Sequence, residues 1–190
     1  MANLLYIHGY GSTGNAVKAQ KLQAMFPQHQ VLAPTFDYDR LAPQEVFRQL
    51  QETILSHRPA LVLGSSMGGY YALCCTQFYR GIVWCVNPVH DVVGTIRRHL
   101  AASDENNISA VVSLYEDFDQ SVFRQLHPID GQLHFALSTD DELLGDHLPL
   151  LSLFPNHGSV VWKDHCGHLF LRFDELKGAL AQSLSDCDRQ

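Results

Sequence analysis

Three side chains that together can activate an alcohol follow separate apolar stretches of the chain: Ser66, Asp141 and His168. A serine hydroxyl is a weak nucleophile at neutral pH and needs a base to take its proton. An imidazole, whose ordinary pKa is about 6.5, can accept that proton and later return it. A carboxylate holds the imidazole in one tautomer and stabilises its transient positive charge. These residue types therefore allow nucleophilic attack through a covalent intermediate.

The candidate nucleophile lies in the pentapeptide GSSMG at residues 64–68, which has the form G-x-S-x-G. An apolar run precedes it and a helix-compatible stretch follows, so the pattern predicts a sharp strand-to-helix turn with Ser66 at its tip. Side chains two positions before and after the tip would collide, which explains Gly64 and Gly68. A turn centred on Ser65 would put larger residues at both places. We therefore take Ser66 rather than Ser65 as the candidate nucleophile. A merely flexible turn is the alternative interpretation, and the strand before and the helix after the motif favour the nucleophile.

A second glycine-containing loop, His8-Gly9-Tyr10, directly follows the first apolar run. The backbone N–H groups of Tyr10 and Met67 are predicted to form an oxyanion hole, with His8 and Gly9 supporting the loop. The spacing of this loop also satisfies the dinucleotide-binding pattern G-x-G-x-x-G. However, no acidic residue ends the second predicted strand, and the lysine of a phosphate-binding loop is missing, so the oxyanion interpretation is preferred.

Two histidines compete for the role of base. His168 is preferred because it follows Gly167 and precedes an apolar run, which puts it in a loop just before the last helix; His165 is the alternative. Cys166 and the two histidines could also be interpreted as zinc ligands. Their spacing is too short for the usual motif and no CxxC pair accompanies them. No metal and no other cofactor is expected.

Several aspartates could orient the imidazole. Asp141 is preferred over Asp140, which directly follows the predicted strand and could instead cap the turn or a helix. Asp91 and Asp117 are lower-ranked acids from the preceding connection. A single aspartate in a loop is by itself most simply a solvated surface charge, so the choice depends on the whole set of strand-end residues.

The elements that must position these residues alternate between apolar strands and amphipathic helices, which predicts a doubly wound parallel sheet with helices on both faces. Strands are predicted at residues 4–7, 30–33, 60–63, 82–86, 133–137 and 159–162. Helices are predicted at residues 15–26, from Pro43, after Ser66, and at the end of the chain, where Leu169, Phe173, Leu176, Leu180 and Leu184 form the apolar stripe. The polar tail beyond Ser185 is expected to fray.

The connection over residues 89–130 is longer than usual loops and is expected to cover the site or to act as a small lid. Val92, Val93, Ile96 and Leu100 indicate one helix within it, residues 103–107 look like a polar loop, and residues 117–126 look like another short helix.

Composition limits the function classes. The 190 residues suit one domain over residues 1–190, with 46% hydrophobic and 17% charged residues. A net charge of -7 without a cluster of basic residues argues against nucleic-acid and anionic-membrane partners. No spanning segment or signal peptide is visible, and three of the five cysteines are expected to be buried thiols in a helix or strand: Cys74, Cys75 and Cys85. A cytoplasmic location is expected.

The chain order Ser, Asp, His is that of the α/β-hydrolases. Beyond that order, five segments resemble the small bacterial YqiA-like esterases of this superfamily: YIHGY (6–10), GSSMGGYY (64–71), VNP (86–88), TDDELL (139–144) and GHLF (167–170). The resemblance implies a compact α/β-hydrolase with a mostly parallel six-stranded sheet. It also implies Ser66, Asp141 and His168 as catalytic residues and Tyr10 and Met67 as oxyanion donors.

The resemblance further implies a serine carboxylesterase that acts on short or exposed acyl esters, a small-molecule substrate. A thioesterase or acyltransferase using the same three residues is the alternative within the fold. The alternative that is not an enzyme is a non-catalytic binding protein with a hydrolase fold. The sequence makes no prediction of the oligomeric state.

Overall fold

The computed structural model describes residues 1–100 and 105–187. The six strands are β1 (Asn3–Ile7), β2 (Gln30–Leu32), β3 (Leu61–Ser65), β4 (Ile82–Val86), β5 (Leu133–Ser138) and β6 (Val160–Lys163). They form one sheet in the order β2-β1-β3-β4-β5-β6, in which every neighbouring pair is parallel. The predicted parallel sheet is confirmed. Because all strands run the same way, their carboxyl ends meet at one edge.

Helices cover both faces of this sheet, as predicted. They are α1 (Val17–Met25), α2 (Pro43–His57), α3 (Met67–Cys75), α4 (Val92–Leu100), α5 (Glu105–Ser121), α6 (Leu148–Leu153) and α7 (Lys177–Cys187). Buried residues of α1 and α7 belong to the core on one face, whereas those of α2 to α6 belong to the core on the other. Within the described ranges, no helix combines the length and the apolar character needed to cross a bilayer.

The sheet has a hydrophobic core on each face, which explains why its strands are continuous apolar runs in the sequence. In β1, Leu4 and Tyr6 contribute to the core shared with α1 and α7, whereas Leu5 and Ile7 contribute to the opposite core. Side chains alternate between the faces of a strand, so a strand covered on both faces needs apolar residues throughout.

The end of the chain differs from the predicted single helix. Phe173–Leu176 forms a turn of 3-10 helix and α7 begins only at Lys177. Leu169 was expected in the apolar stripe but is 67% exposed, because residues 169–172 lie in a turn before the helical segment. Of the polar tail predicted to fray, residues 186–187 still belong to α7, and residues 188–190 lie outside the described part.

The described part of residues 89–130 packs largely as helices against the core. The helix predicted from Val92 is α4, whereas residues 105–107 of the predicted polar loop belong to α5, and residues 103–104 lie outside the described ranges. The predicted short helix at residues 117–126 is instead the end of α5 and a 3-10 turn, because Val112, Tyr115 and Phe118 extend one buried stripe. A covering role for this connection stays a prediction.

Candidate active site

Ser66 stands at a sharp turn between β3 and α3. Strand β3 ends at Ser65 and helix α3 begins at Met67, so a single residue joins the two elements. That residue has φ 56° and ψ −120°, outside the regions that side chains normally allow. Such a conformation costs about 1–3 kcal/mol, which the surrounding structure must supply. The turn leaves the Ser66 side chain half-buried at the carboxyl edge of the sheet.

The glycines around this turn allow backbones to touch. A Cβ added to Gly64 would lie 2.1 Å from the carbonyl oxygen of Gly68. A Cβ added to Gly68 would lie 2.1 Å from the carbonyl oxygen of Ile7 and 2.5 Å from that of His8. The glycines therefore bring α3 against both β3 and the loop after β1.

Gly68→Ala is expected to lower the free energy of unfolding by about 1–3 kcal/mol, because the clash is with backbone atoms that cannot rotate away. Gly178→Ala is the matched control, since among the described residues no atom outside its own helix backbone lies within 4 Å of a Cβ at that exposed position. The control should leave the melting temperature unchanged or raise it. Thermal unfolding followed by circular dichroism compares them; equal melting temperatures would contradict the close packing.

The structure brings Ser66, His168 and Asp141 into one chain of contacts. His168 Nε2 lies 2.8 Å from Ser66 Oγ. On the other side of the ring, His168 Nδ1 lies 3.0 Å from both carboxylate oxygens of Asp141. The imidazole and the carboxylate are both buried, so water does not compete for these contacts.

The charge of the Asp141 carboxylate decides which nitrogen of His168 carries a proton. Burial alone would raise the pKa of Asp141, but the imidazoles of His147 and His168 and the N–H of Leu144 outweigh it and hold the pKa below its ordinary value. An ionised carboxylate can only accept, so Nδ1 of His168 must carry a proton. Nε2 is then the free acceptor that faces the Ser66 hydroxyl. The arrangement can take the serine proton as a base.

The two predicted oxyanion donors lie beside Ser66. Met67 is the first residue of α3, and Tyr10 follows Gly9, at which an added Cβ would lie 3.2 Å from the Cβ of Ser66. Within residues 1–100 and 105–187, neither the Tyr10 N–H nor the Met67 N–H has a hydrogen-bond acceptor. Two unpaired donors next to the candidate nucleophile could hold an oxygen that becomes negatively charged.

His8 lies next to this loop and outside the chain of contacts to Ser66. Its Nε2 accepts from the Phe36 N–H at 2.9 Å, so Nδ1 carries the proton and donates to the Gly9 carbonyl at 2.8 Å. Tyr38 donates to the His8 carbonyl at 2.8 Å. Burial lowers the pKa of His8, which keeps the ring neutral. These contacts suit a brace for the oxyanion loop.

The structure shows where the alternative acid Asp140 and the alternative base His165 lie. Asp140 Oδ1 accepts from the Ser138 hydroxyl at 2.6 Å and from the N–H groups of Cys166 and Gly167 at 3.1 and 3.2 Å. It thus joins the end of β5 to the loop that carries His168, rather than contacting the imidazole. His165 lies exposed in that loop.

The lower-ranked acids, Asp91 and Asp117, lie away from the His168 imidazole. Asp91 accepts from the Gly94 N–H at 2.9 Å at the start of α4, and Asp117 is exposed on α5. Among the residues that the structure describes, no group of three or more His, Cys, Asp or Glu side chains is arranged to hold a metal.

Sequence reasoning missed a second imidazole at Asp141. His147 is buried, and its Nε2 lies 3.2 Å from Oδ2 of Asp141, although neither ring nitrogen has the geometry of a hydrogen bond. His147 immediately precedes α6, six residues after Asp141, and no motif marks it. Only the folded loop after β5 places it against the carboxylate.

No role was predicted for Asn87, which directly follows β4. Its buried side-chain amide donates to the carbonyls of Gly167 and His168 at 3.0 and 3.1 Å, and its oxygen accepts from the Ser138 N–H at 2.8 Å. Asn87 therefore ties the His168 loop to β5. Glu142 also fixes the His168 loop, because its carboxylate accepts a hydrogen bond from the His168 N–H at 2.8 Å.

An open cavity of about 530 Å³ reaches the Ser66 and His168 side chains. Part of its wall is apolar side chains that are substantially exposed to solvent: Tyr10, Val17, Leu169 and Leu171. Lys18 and Lys21 of α1 complete one side. The cavity can therefore take a molecule with a hydrocarbon part next to the serine.

Solved structures that match this chain include several with the α/β-hydrolase fold. MGS-MChE2, an α/β hydrolase from a sediment metagenome of the Mar Chica lagoon in Morocco, is 16% identical, with a TM-score of 0.70 over 98% of this chain and 92% of that one. The esterase domain of a Rhodothermus marinus protein is 19% identical, with a TM-score of 0.64 over 97% and 87%. Mouse α/β hydrolase domain-containing protein 10 is 11% identical, with a TM-score of 0.72 over 97% and 90%.

Because the identities are low, these likenesses show the α/β-hydrolase fold and nothing beyond it. A family model adds a relationship at the level of sequence. It matches residues 3–182, nearly the whole chain, and describes an uncharacterised protein family, UPF0227. The chain belongs to this family, the YqiA-like proteins.

Proposed function

We propose that this protein is a serine hydrolase that cleaves carboxylic esters with short or exposed acyl groups. The observation that carries the proposal is the hydrogen-bonded chain from Ser66 Oγ through the His168 imidazole to Asp141. Its contact distances are those that general-base activation of a serine requires. The names of the similar structures, an α/β hydrolase and an esterase domain, favour the same reaction.

The first half of the reaction forms an acyl-enzyme. Ser66 Oγ attacks the ester carbonyl while its proton passes to Nε2 of His168. The carbonyl oxygen takes the negative charge and accepts hydrogen bonds from the N–H groups of Tyr10 and Met67. When the intermediate collapses, the bond to the alcohol oxygen breaks and His168 returns the proton to that oxygen.

The second half releases the acid. A water molecule attacks the acyl carbon while His168 takes one of its protons, and the bond to Ser66 Oγ then breaks as the proton returns to the serine. Asp141 stays ionised throughout and stabilises the imidazolium that forms twice in each turnover. No cofactor takes part in these steps.

The shape of the cavity supports small or exposed ester groups. Its exposed apolar wall, including Leu169 and Leu171, offers contact area to an acyl chain at the surface without enclosing a long one. Contact with this wall is worth about 25 cal/mol for each Å² removed from water, so carbons that extend beyond the wall gain nothing from it. We therefore expect acetyl and butyryl esters to be hydrolysed faster than long-chain esters.

Hydrolysis of p-nitrophenyl acetate, butyrate and dodecanoate, beside butyryl coenzyme A as a thioester, tests the proposal. The folded protein should turn over the two short oxygen esters, with a lower kcat/KM for dodecanoate and for the thioester. Strong selectivity for the thioester would replace the esterase with a thioesterase on the same residues. Absence of turnover for every substrate would favour a binding protein that retains a hydrolase fold.

A further inference from the structure

Lys18 places a positive charge at the wall of the cavity that holds Ser66. It lies in the first turn of α1, and its ammonium donates to Oγ of Ser65 at 2.8 Å. Both residues line the same cavity as Ser66 and His168. Ser65 is buried, so its hydroxyl fixes the half-buried ammonium in place next to the proposed nucleophile.

This ammonium has no acidic partner among the described residues. Within the part of the chain that the structure describes, no carboxylate lies within 4.0 Å of Lys18 Nζ, whereas Lys21 on the next turn lies 2.6 Å from Asp174. The lack of a partner is notable in a chain with 20 acidic and 13 basic residues. Burial, with Lys21 nearby, lowers the pKa of Lys18 to about 8, so the ammonium is still mostly charged at pH 7.

A partly buried cation without a counter-charge is unfavourable, because it has lost water without gaining an opposite charge. An anion that enters the cavity would supply the missing partner and form a charge-assisted hydrogen bond. The apolar wall formed by Val17 and Leu169 leaves room for a hydrocarbon part beside that anion. The cavity thus combines an apolar surface, a nucleophile and one unpaired cation.

We propose that Lys18 binds a negatively charged group of the substrate, a carboxylate or a phosphate, while Ser66 attacks the ester. This inference rests on the proposed function and narrows it to esters that carry one anionic end. The alternative is structural: Lys18 would only tether α1 to β3 through Ser65. The two differ because a tether affects all esters alike, whereas an anion-binding residue affects charged esters alone.

Two matched pairs of esters test the proposal, one for each side of the ester bond. The mono-p-nitrophenyl ester of adipic acid and its primary amide differ only by a carboxylate on the acyl side. The butyrate esters of 3-hydroxybenzoate and 3-hydroxybenzamide differ by a carboxylate on the alcohol side. The measured quantity is the ratio of kcat/KM for the charged ester to that for its neutral partner.

In at least one pair, Lys18→Met is expected to lower this ratio by about tenfold or more, the worth of a hydrogen bond to a charged group. Lys18→Arg should keep most of the preference. Lys21→Met is the matched control, because it removes an ammonium that Asp174 already pairs. An unchanged ratio in both pairs, or an equal loss in Lys21→Met, would overturn the proposal.

The pH dependence gives a second readout of the same group. A lysine loses its charge above its pKa, so the ratio should fall as the pH rises through about 8. The other titratable groups at this wall are Tyr6, Tyr10, Lys21 and His168. Three carboxylates pair with them: Asp39 with Tyr10, Asp174 with Lys21 and Asp141 with His168. A pH effect that acts equally on both esters of a pair cancels in the ratio. A ratio that stays flat from pH 6 to 9 would contradict the role of Lys18.

A binding measurement keeps this inference separate from the proposed function. In Ser66→Ala, which should not turn the esters over, NMR titration compares the adipate ester with its amide. Loss of Lys18 should weaken binding of the charged ester by about tenfold and leave the amide unaffected. If the intact protein hydrolyses no ester but this difference appears, the esterase proposal fails and the anion site stands. If the intact protein hydrolyses esters but this difference in binding is absent, the esterase proposal stands and the anion site fails.

Discussion

Ser66→Ala is expected to lower kcat for p-nitrophenyl butyrate by about 10⁴-fold or more. Only the catalysis that the oxyanion hole and substrate binding supply would remain. The reason is that Ser66 Oγ is the atom that lies 2.8 Å from His168 Nε2 and faces the cavity. Alanine removes the nucleophile and leaves the rest of the site intact. Steady-state kinetics of the purified variant, with its melting temperature as a check of folding, measures the effect.

Ser65→Ala is the matched control for this prediction. Ser65 is the neighbouring hydroxyl, but its Oγ accepts from Lys18 and it is not the residue at the strained turn. We expect the variant to keep most of its activity towards a neutral ester. A large loss in Ser65→Ala with little loss in Ser66→Ala would reverse the assignment of the nucleophile.

Asp141→Asn is expected to lower kcat by about 10⁴-fold, although it changes the size of the side chain very little. Oδ1 of Asp141 accepts from the N–H groups of Leu143 and Leu144 at 3.0 and 2.9 Å, so an asparagine keeps its oxygen there. Its amide would then donate to Nδ1 of His168. That contact stabilises the tautomer with the proton on Nε2, which cannot accept the proton of Ser66.

Asp140→Asn is the control that separates the two adjacent carboxylates. Asp140 contacts Ser138, Cys166 and Gly167 rather than the imidazole, and an asparagine retains one acceptor oxygen for them. Its kcat should fall by much less than that of Asp141→Asn. The pKa of Asp141 lies below its ordinary value, so the carboxylate is ionised at neutral and mildly acidic pH, and the difference should persist throughout that range. Comparable losses in both variants would contradict the assignment of the acid.

The turn at Ser66 could be predicted because its chemistry is local. A strand, a strained residue and a helix within a few positions require glycine at defined places, and the contacts of Gly64 and Gly68 follow that expectation. The order of the remaining elements was also predictable, because parallel strands buried on both faces give uninterrupted apolar runs. The strand limits moved by one or two residues: β3 extends to Ser65 and β5 to Ser138.

The remaining features depend on contacts between distant segments. Lys18 reaches Ser65 across 47 positions, and Asn87 reaches the His168 loop across about 80. Each is an ordinary polar residue whose partner cannot be recognised from spacing. His147 is similar, since only the path of the loop after β5 brings it to Asp141. Leu169 shows the opposite error, an apolar residue at helical spacing that the chain leaves exposed in a turn.

Covalent labelling tests the central claim most directly. The claim is that His168 activates one particular serine, and a fluorophosphonate probe reacts only with a serine activated in this way. Mass spectrometry of the labelled and digested protein should find one adduct, on Ser66, and the adduct should disappear when His168 is replaced by alanine. A folded protein that remains unlabelled, or an adduct on Ser65, would contradict the account.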